Sequence, residues 1–325
     1  FDLCCKLIAD RSWRVRFMAA TGYAGLMRTI GITKEATPTT FDGVAAFAGL
    51  LTDYEAEVRA AAAGQAAAVA ALWAGEAFEA RVLPVLDRVV LDPSAQVRAA
   101  LACQLNDLCA VAGEQVTLDR LLPLFLVLFR DDSSQVRLNV ISRLDVINRV
   151  IGIEALRHHL VPPIVKLCED RQWRVRQAIL EYLPVVARHL GTAFFDDELL
   201  PLAVRLLDDP VYAVRQSAID MLLAVGDQFG ADHFGIAVLG KVSPFAHHQN
   251  YLRRITFLHL LARCQALLKV IDPALWLPLL SELAHDPIPN VRLNAAKTAK
   301  HFPQASSLLE ALRSDEDPDV QFYAN

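Results

Sequence analysis

Apolar side chains recur with helical spacing along most of the chain. After Arg137, for example, the residues three, four and seven positions later are Val140, Ile141 and Leu144. The same spacing follows several other Val-Arg pairs, and polar residues fill many of the positions between. Apolar residues at these intervals lie on one face of an α-helix. The pattern therefore predicts a series of amphipathic helices, each with one face to bury.

A short polar pattern precedes these helices and returns at an almost constant interval. It consists of an Asp, a Val five residues later and an Arg directly after the Val. The Arg position is occupied in turn by Arg16, Arg59, Arg98, Arg137, Arg176, Arg215, Arg253, Arg292 and Gln321. The steps between these residues are 43, 39, 39, 39, 39, 38, 39 and 29, and the copies at Arg253 and Gln321 are degraded. A period near 39 predicts about nine copies of one structural unit, numbered here as repeats 1 to 9.

Two further recurring residues divide each repeat into two helices. A Pro eight residues before the Asp predicts a bend in the first helix, at Pro84, Pro123, Pro162, Pro201 and Pro278. A Gly predicts a left-handed C-cap at the end of the second helix, at Gly31, Gly75, Gly113, Gly152, Gly191 and Gly230. Two such helices cannot bury their apolar faces alone, so neighbouring repeats must stack. We predict an all-α superhelix of about nine helical hairpins, forming a single domain over residues 1–325.

The Asp and the Arg of each repeat have a predicted structural role. The Asp falls in the turn between the two helices, where its carboxylate can accept backbone N–H groups at the start of the second helix. The Arg lies one to two turns into that helix, on the side facing the next repeat. We therefore predict a ladder of Asp–Arg contacts along the stack.

Composition narrows the classes of partner and compartment. The chain is 54% apolar and carries a net charge of −5, which argues against a nucleic-acid backbone as the main partner. The longest strongly apolar run, Leu121 to Phe129, contains Pro123 and is too short to cross a membrane. The six cysteines form no C-x-x-C pair and no disulfide framework, which fits a reducing compartment. We expect a cytoplasmic protein, with the nucleus as a second location.

Several residue groups could carry chemistry, but each has a simpler interpretation. The acidic run 196–198 suits the start of a helix better than a metal site. The histidine pairs 158–159 and 247–248 lack H-E-x-x-H spacing. Cys103 and Cys109 are interpreted as small buried packing residues and not as nucleophiles. We predict no catalytic residue, no metal and no cofactor.

Two clusters combine basic and aromatic residues in a way that is also typical of nucleic-acid stacking. They are Arg11 to Arg16 and Arg171 to Arg176. The two clusters are copies of one turn, four repeats apart, in an acidic chain. We therefore interpret them as turns of the repeat, with Trp13 and Trp173 available to a protein partner.

The period, the Pro of the first helix and the Asp-x4-Val-Arg turn match HEAT repeats. Several segments closely resemble the scaffold (A) subunit of serine/threonine protein phosphatase 2A, including DRSWRVRFMA, QVRLNVISRLDVINRVIGIEAL, DRQWRVRQAILEYLPVVARHLGTAFFDDEL and DPVYAVRQSAIDMLLAVGDQFG. The resemblance extends over the whole chain and is strongest from Val136 to Gly230. The repeats resemble the seventh to the fifteenth of that family, so we expect a fragment of a longer scaffold.

The chain departs from the family in three places. The stretch from Ile32 to Thr40 is longer, Gln321 replaces a basic residue, and the last step is ten residues shorter than the period. The short step predicts a short first helix in repeat 9.

The resemblance implies a scaffold without chemistry of its own, which docks partners on the turns between the two helices of each repeat. By position, the surface for the phosphatase catalytic subunit comprises Trp173, Arg174, Val211, Tyr212, Asn250, Tyr251, Ile288, Pro289 and Asn290. The surface for an interchangeable regulatory subunit comprises Trp13, Arg14, Glu55 and Glu57. Trp, Tyr and Arg are common anchors of protein interfaces.

Two other functions are compatible with the sequence. One is a different HEAT-repeat adaptor, such as a nuclear transport receptor or an assembly scaffold, without phosphatase binding. The other is an enzyme built on a helical-repeat frame, which would need polar residues converging in one pocket. The sequence provides no such constellation.

Overall fold

A computed structural model describes residues 2–31, 41–73 and 75–325, except for the side chains of Asp2 and Glu76. The longer stretch from Ile32 to Thr40 noted above lies outside these residues. Within the described ranges all regular secondary structure is helical. The chain divides into two compact units, Phe1–Leu167 (unit 1) and Cys168–Asn325 (unit 2), with the division between the two helices of repeat 5. The predicted all-α, HEAT-type fold is confirmed.

Unit 1 contains stacked helical hairpins. Its described helical segments are Asp2–Ile8, Trp13–Thr21, Tyr23–Thr29, Gly43–Leu51, Ala56–Ala63, Ala66–Trp73, Glu76–Arg81, Leu83–Val89, Ala95–Ala112, Glu114–Val116, Thr117–Leu121, Leu122–Leu128, Ser134–Ile141, Leu144–Ala155, Leu156–Leu160 and Val161–Leu167. The second helices of repeats 1, 2 and 3 pack against one another in order. Tyr23, Phe47 and Trp73 fill the core near the amino-terminal end, with the Tyr23 ring centroid 5.3 Å from Phe47 and 6.3 Å from Trp73.

Unit 2 continues the same pattern of hairpins. Its helical segments are Trp173–Phe194, Phe195–Leu199, Leu200–Leu206, Tyr212–Phe229, Ala231–His233, Phe234–Leu239, Gly240–Val242, Ser243–His247, Tyr251–Arg263, Gln265–Leu268, Pro273–Leu275, Leu277–Leu283, Pro289–Ala299, Pro303–Ala305, Ser306–Leu312 and Pro318–Ala324. Its second helices, which begin at Trp173, Tyr212, Tyr251, Pro289 and Pro318, each contact the next. Repeat 9 has the short first helix, Ser306–Leu312, that the 29-residue step predicts.

The recurring prolines interrupt the first helices. Pro123, Pro162 and Pro201 each occupy the second position of a helical segment that follows a π-helical turn. Proline has no backbone N–H, so the carbonyl four residues earlier loses its partner, and the chain widens locally into the π-turn. The predicted irregularity is therefore present at these positions, and it takes the form of a wider turn before the proline.

The recurring glycines adopt the positive φ that the sequence predicts, with values from 72° to 119° at Gly31, Gly75, Gly113, Gly152, Gly191 and Gly230. The predicted left-handed cap is nevertheless wrong in detail. Gly113 has φ 82° and ψ 177°, and Gly230 has φ 92° and ψ 164°. This region is essentially restricted to glycine, and more strictly so than the left-handed helical region. The extended ψ lets the chain pass straight into the first helix of the next repeat, because Gly113 is also the N-cap of Glu114–Val116.

The replacement Gly113→Ala should lower the free energy of unfolding by roughly 1–3 kcal/mol, since the new side chain would force this backbone conformation into strain. A Cβ atom at this position meets no heavy atom within 4 Å, so the cost is conformational and not steric. The matched control is Gly49→Ala, within the helix Gly43–Leu51 and with equally open space. That variant should stabilise the chain by roughly 0.5–1 kcal/mol. Urea unfolding followed by circular dichroism compares the two, and equal effects would contradict the backbone argument.

Candidate protein-binding surface

The turns between the two helices of each repeat are held by the predicted ladder. In repeat 2, Asp53 accepts the Glu55 backbone N–H at 3.0 Å, which fixes the start of the second helix. Its two carboxylate oxygens also accept a bidentate pair of hydrogen bonds from Arg16 of repeat 1, from Nε at 2.6 Å and from Nη2 at 2.8 Å. The same ion pair joins Arg59 to Asp92, Arg98 to Asp131, Arg176 to Asp209, Arg254 to Asp286 and Arg292 to Asp315.

Each ladder arginine also binds the turn of its own repeat. The Arg59 Nη1 group donates to the backbone carbonyls of Asp53 at 2.8 Å and Tyr54 at 3.0 Å. One guanidinium therefore bonds to the peptide groups of one turn and the carboxylate of the next. The hydrogen bonds from Arg16 hold the pKa of Asp53 below its usual range, as those from Arg292 do for Asp315. The ladder thus fixes the turns that it joins in a constant geometry.

The ladder shows that the predicted alignment of repeat 7 with the other repeats is wrong by one residue. Arg254, and not Arg253, donates to the backbone carbonyl of its own turn, at His248, and pairs with Asp286. Arg253 pairs instead with Asp208. The step from Arg215 is therefore 39 residues, and His248 occupies the position that is Asp in the other turns. The error arises because this repeat has two adjacent arginines and no Asp to fix the register.

The corrected register places three aromatic residues in one structural position of unit 2. Trp173, Tyr212 and Tyr251 are each the first residue of a second helix, in repeats 5, 6 and 7. They lie 39 residues apart, and we call them the aromatic column. Tyr212 is 56% exposed and Tyr251 is 39% exposed, while Trp173 is half-buried. These side chains lie at the turns and not on the buried faces of the helices.

Arginines stack on two residues of the column. The Arg174 guanidinium lies 4.5 Å from the ring centroid of Trp173, and that of Arg215 lies 5.5 Å from that of Tyr212. In unit 1, Arg14 stacks on Trp13 in the same way, at 4.7 Å. Such cation–π contacts hold the rings in place without covering both faces. The turns therefore present pre-positioned aromatic and cationic groups.

The other predicted site residues occupy the same turns. Val211 and Ile288 precede the second helices as N-caps, and Ile288 is 37% exposed. Asn250 caps its helix by accepting the Leu252 N–H at 3.0 Å, so its side chain is already engaged. Pro289 and Asn290 are exposed in the first turn of their helix.

The residues predicted for a regulatory subunit lie in unit 1. Trp13 and Arg14 begin the second helix of repeat 1. Glu55 is the N-cap of the second helix of repeat 2, and Glu57 is in its first turn. Both glutamates are exposed. The pairing of these residues with a regulatory subunit stays a prediction.

Two exposed apolar residues in these turns, Leu252 and Tyr54, were not predicted from the sequence. Leu252 is 45% exposed and occupies the position of Arg174 in repeat 7, which the register error concealed. Tyr54 is 98% exposed and directly follows the ladder residue Asp53. Tyr54 stands outside the helical spacing of the apolar residues, so burial in the core does not explain a tyrosine there. This position was the sequence signal that could have identified it as an exposed binding residue.

The residue groups weighed for chemistry have ordinary roles in the structure. Asp196 bonds to His233 at 2.9 Å, and His247 bonds to Glu282 at 2.9 Å. No cluster of three metal-type side chains occurs among the described residues. Within those same ranges, no helix is long and apolar enough to span a bilayer.

One cysteine prediction is wrong. Cys109 is buried, and burial raises its pKa to about 12, but Cys103 is exposed. Both residues belong to the helix Ala95–Ala112. Residues six positions apart on an α-helix point in different directions, so one face cannot bury both.

Comparison with known proteins supports the HEAT-repeat assignment. A family model described as PPP2R1A-like HEAT repeat matches residues 39–113, and one described as PIK3R4-like, middle domain, matches residues 123–277. Each match covers less than half of the chain. No curated protein matches the chain. Together with the fold, these matches identify the chain as a HEAT-repeat protein.

Several solved structures share the fold over nearly the whole chain. The karyopherin Kap121p, bound to the extreme C-terminus of the protein phosphatase Cdc14p, has a TM-score of 0.69 at 12% identity, covering 99% of this chain and 36% of its own. Importin beta has a TM-score of 0.67 at 12% identity, with coverages of 99% and 44%. Kap95p, in a complex with RanGDP, has a TM-score of 0.61 at 13% identity, with coverages of 99% and 47%. The chain thus spans less than half of each structure, and identities this low establish the fold alone.

Proposed function

We propose that this chain is a non-catalytic scaffold subunit of a serine/threonine protein phosphatase 2A holoenzyme. In this proposal, the turns of unit 2 dock the phosphatase catalytic subunit and the turns of unit 1 dock a regulatory subunit. The aromatic column carries the proposal: Trp173, Tyr212 and Tyr251 stand outside the core, in one position of three successive repeats. Exposed aromatic residues flanked by arginine are the usual anchors of an interface.

The choice of partner rests on the sequence. The PPP2R1A-like HEAT-repeat model matches residues 39–113, which include the turns of repeats 2 and 3. The sequence segments that resemble the phosphatase 2A scaffold are most frequent from Val136 to Gly230, a range that includes Trp173 and Tyr212. These two stretches support a phosphatase scaffold more specifically than the period of the repeat does.

The ladder explains how a scaffold of this kind would act. Bidentate ion pairs hold the turn of repeat 1 to that of repeat 2, and the turn of repeat 5 to that of repeat 6, at fixed spacing. A partner bound at one of these turns can therefore contact the next turn without a further loss of conformational entropy in the scaffold. Holding an enzyme and a substrate-selecting subunit on one frame raises their effective concentration toward each other. This action needs no catalytic residue in the scaffold itself.

A HEAT-repeat adaptor without phosphatase binding, such as a transport receptor, is the second candidate. The similar solved structures favour it more directly than they favour a phosphatase scaffold, since they are karyopherins. In these structures Kap95p is found with RanGDP and with Nup1, and Kap121p with the Cdc14p C-terminus. This candidate would use the same exposed turns for protein partners and would act in both cytoplasm and nucleus.

Mass spectrometry of the proteins that co-purify with the chain separates the two candidates. We expect a phosphatase catalytic subunit and a regulatory subunit, each in stoichiometric amount. A Trp173→Ala chain should retain the regulatory subunit and lose the catalytic one, because Trp173 lies in unit 2. Recovery of Ran-type GTPases or nucleoporins without any phosphatase would overturn the proposal in favour of the transport receptor.

A further inference from the structure

The ladder of unit 2 is broken between repeats 6 and 7. Arg215 occupies the ladder position of repeat 6, and its Nη1 group donates to the carbonyls of Asp209 at 2.8 Å and Pro210 at 3.2 Å, as in other repeats. The next turn offers it no carboxylate, because His248 stands where other repeats have Asp. Among the residues that the structure describes, Arg215 has no ion pair with Asp or Glu.

His248 replaces only one of the two functions of the missing Asp. Its Nδ1 accepts the Asn250 backbone N–H at 2.9 Å, as Asp209 Oδ1 accepts that of Val211 at 2.8 Å. Its other ring nitrogen, Nε2, lies 2.6 Å from Arg253 Nη1, so both nitrogens are already engaged within repeat 7. The imidazole therefore holds the turn, but it cannot accept the two parallel hydrogen bonds of a guanidinium or neutralise its charge.

The carboxylates around the break are already paired. Asp209 binds Arg176, Asp208 binds Arg253 and Asp286 binds Arg254. The Arg215 charge is thus left without a carboxylate partner, and the neighbouring helix Tyr251–Arg263 begins with two further arginines. Its effect reaches His259. Burial first, and then the charges of Arg215 and Lys297, hold the pKa of His259 below its usual range, against the opposing effect of the hydrogen bond that His259 Nε2 donates to Asn294 Oδ1.

The break lies within the aromatic column. Tyr212 is three residues before Arg215 on the same helix, and the Arg215 guanidinium lies 5.5 Å from its ring centroid. Tyr251 and Leu252, three and four residues after His248, are 39% and 45% exposed. A planar guanidinium with free Nε and Nη2 donors, next to exposed apolar groups, is suited to bidentate binding of a carboxylate.

We propose that a protein partner supplies the missing carboxylate. One Asp or Glu side chain of the partner bonds to Nε and Nη2 of Arg215, while apolar side chains beside it pack on Tyr212, Tyr251 and Leu252. The partner thereby completes the ladder of unit 2. The inference rests on the proposed function only in that the turns of unit 2 bind a protein, and it does not depend on which protein.

Two variants of His248 whose side chains have the same shape, but differ in charge, test whether a carboxylate is missing at the break. The replacement His248→Asp fills the gap from within the chain, and His248→Asn places a neutral side chain of the same shape there. Titration of each chain with purified phosphatase 2A catalytic subunit should give a dissociation constant at least about 10-fold weaker for the Asp variant than for the Asn variant, since charge-assisted hydrogen bonds are lost. The Asp variant should also unfold at a higher urea concentration than the Asn variant. Equal dissociation constants would overturn the proposal.

A second measurement needs no phosphatase and separates this inference from the proposed function. The Nε–H resonance of Arg215 in the intact chain is followed by NMR during titration with N-acetylglutamate. We expect a saturable shift in the wild-type chain and none in the His248→Asp chain. If the catalytic subunit fails to bind but this shift is present, the proposed function fails and the carboxylate site stands. No saturable shift, or a stronger response to inorganic phosphate than to N-acetylglutamate, would overturn the site.

Discussion

The replacement Asp92→Ala is expected to lower the free energy of unfolding by about 3–5 kcal/mol, because it leaves a largely buried arginine without its partner. Asp92 is 9% exposed and accepts three hydrogen bonds, from Arg59 Nε at 2.6 Å, Arg59 Nη2 at 3.0 Å and the Ser94 N–H at 2.9 Å. Removal of the carboxylate breaks all three at once. Urea unfolding followed by circular dichroism measures the loss.

The control for this prediction is Asp87→Ala in the same unit. Asp87 also pairs with an arginine of the next repeat, Arg120, but at 3.3 Å and with the two side chains 49% and 40% exposed. Exposed ion pairs contribute between zero and about 1 kcal/mol. The Asp92 variant should therefore be the less stable of the two by at least about 2 kcal/mol, given these ranges. Similar losses in both would mean that the ladder does not hold the repeats together.

The double replacement of Trp173 and Tyr212 with Ala should weaken binding of the phosphatase catalytic subunit by at least about 3 kcal/mol, or more than about 100-fold. The two rings lie at the starts of successive second helices, outside the core. Their removal should leave the fold intact, which the thermal unfolding curve checks. Isothermal titration with purified catalytic subunit measures the affinity.

Trp13→Ala provides a matched control for the double variant. Trp13 begins the second helix of repeat 1 and carries a stacked Arg14, as Trp173 carries Arg174. Since Trp13 lies in unit 1, its loss should reduce affinity for a regulatory subunit and leave the catalytic subunit bound. Unchanged affinity in a folded double variant would remove the aromatic column from the proposed interface.

The regular parts of the fold could be predicted because they repeat. The Asp–Arg ladder is visible as a constant spacing, and each copy supports the others. The six glycines could be recognised in the same way, but their ψ angles could not. A positive φ is a property of glycine in many turns, whereas ψ at Gly113 depends on how directly the next helix begins.

The irregular parts could not be predicted from the pattern, and they include Leu252 and the break at Arg215 in the candidate site. In repeat 7 the residue that fixes the register is replaced by His248, so the two arginines that follow are indistinguishable in sequence. Only the hydrogen bonds of Arg254 to its own turn and to Asp286 decide between them. The break at Arg215 follows from the same replacement. Exposure of Cys103 depends on helix packing, which composition does not reveal.

Affinity of the intact chain for purified phosphatase 2A catalytic subunit, measured beside its affinity for a GTP-bound Ran-type GTPase, tests the central claim most directly. Isothermal titration of both proteins under the same conditions makes the comparison. The proposed scaffold should bind the catalytic subunit with one-to-one stoichiometry and should not bind the GTPase. Binding of the GTPase without binding of the catalytic subunit would contradict the proposal and assign the exposed turns of this HEAT-repeat protein to transport.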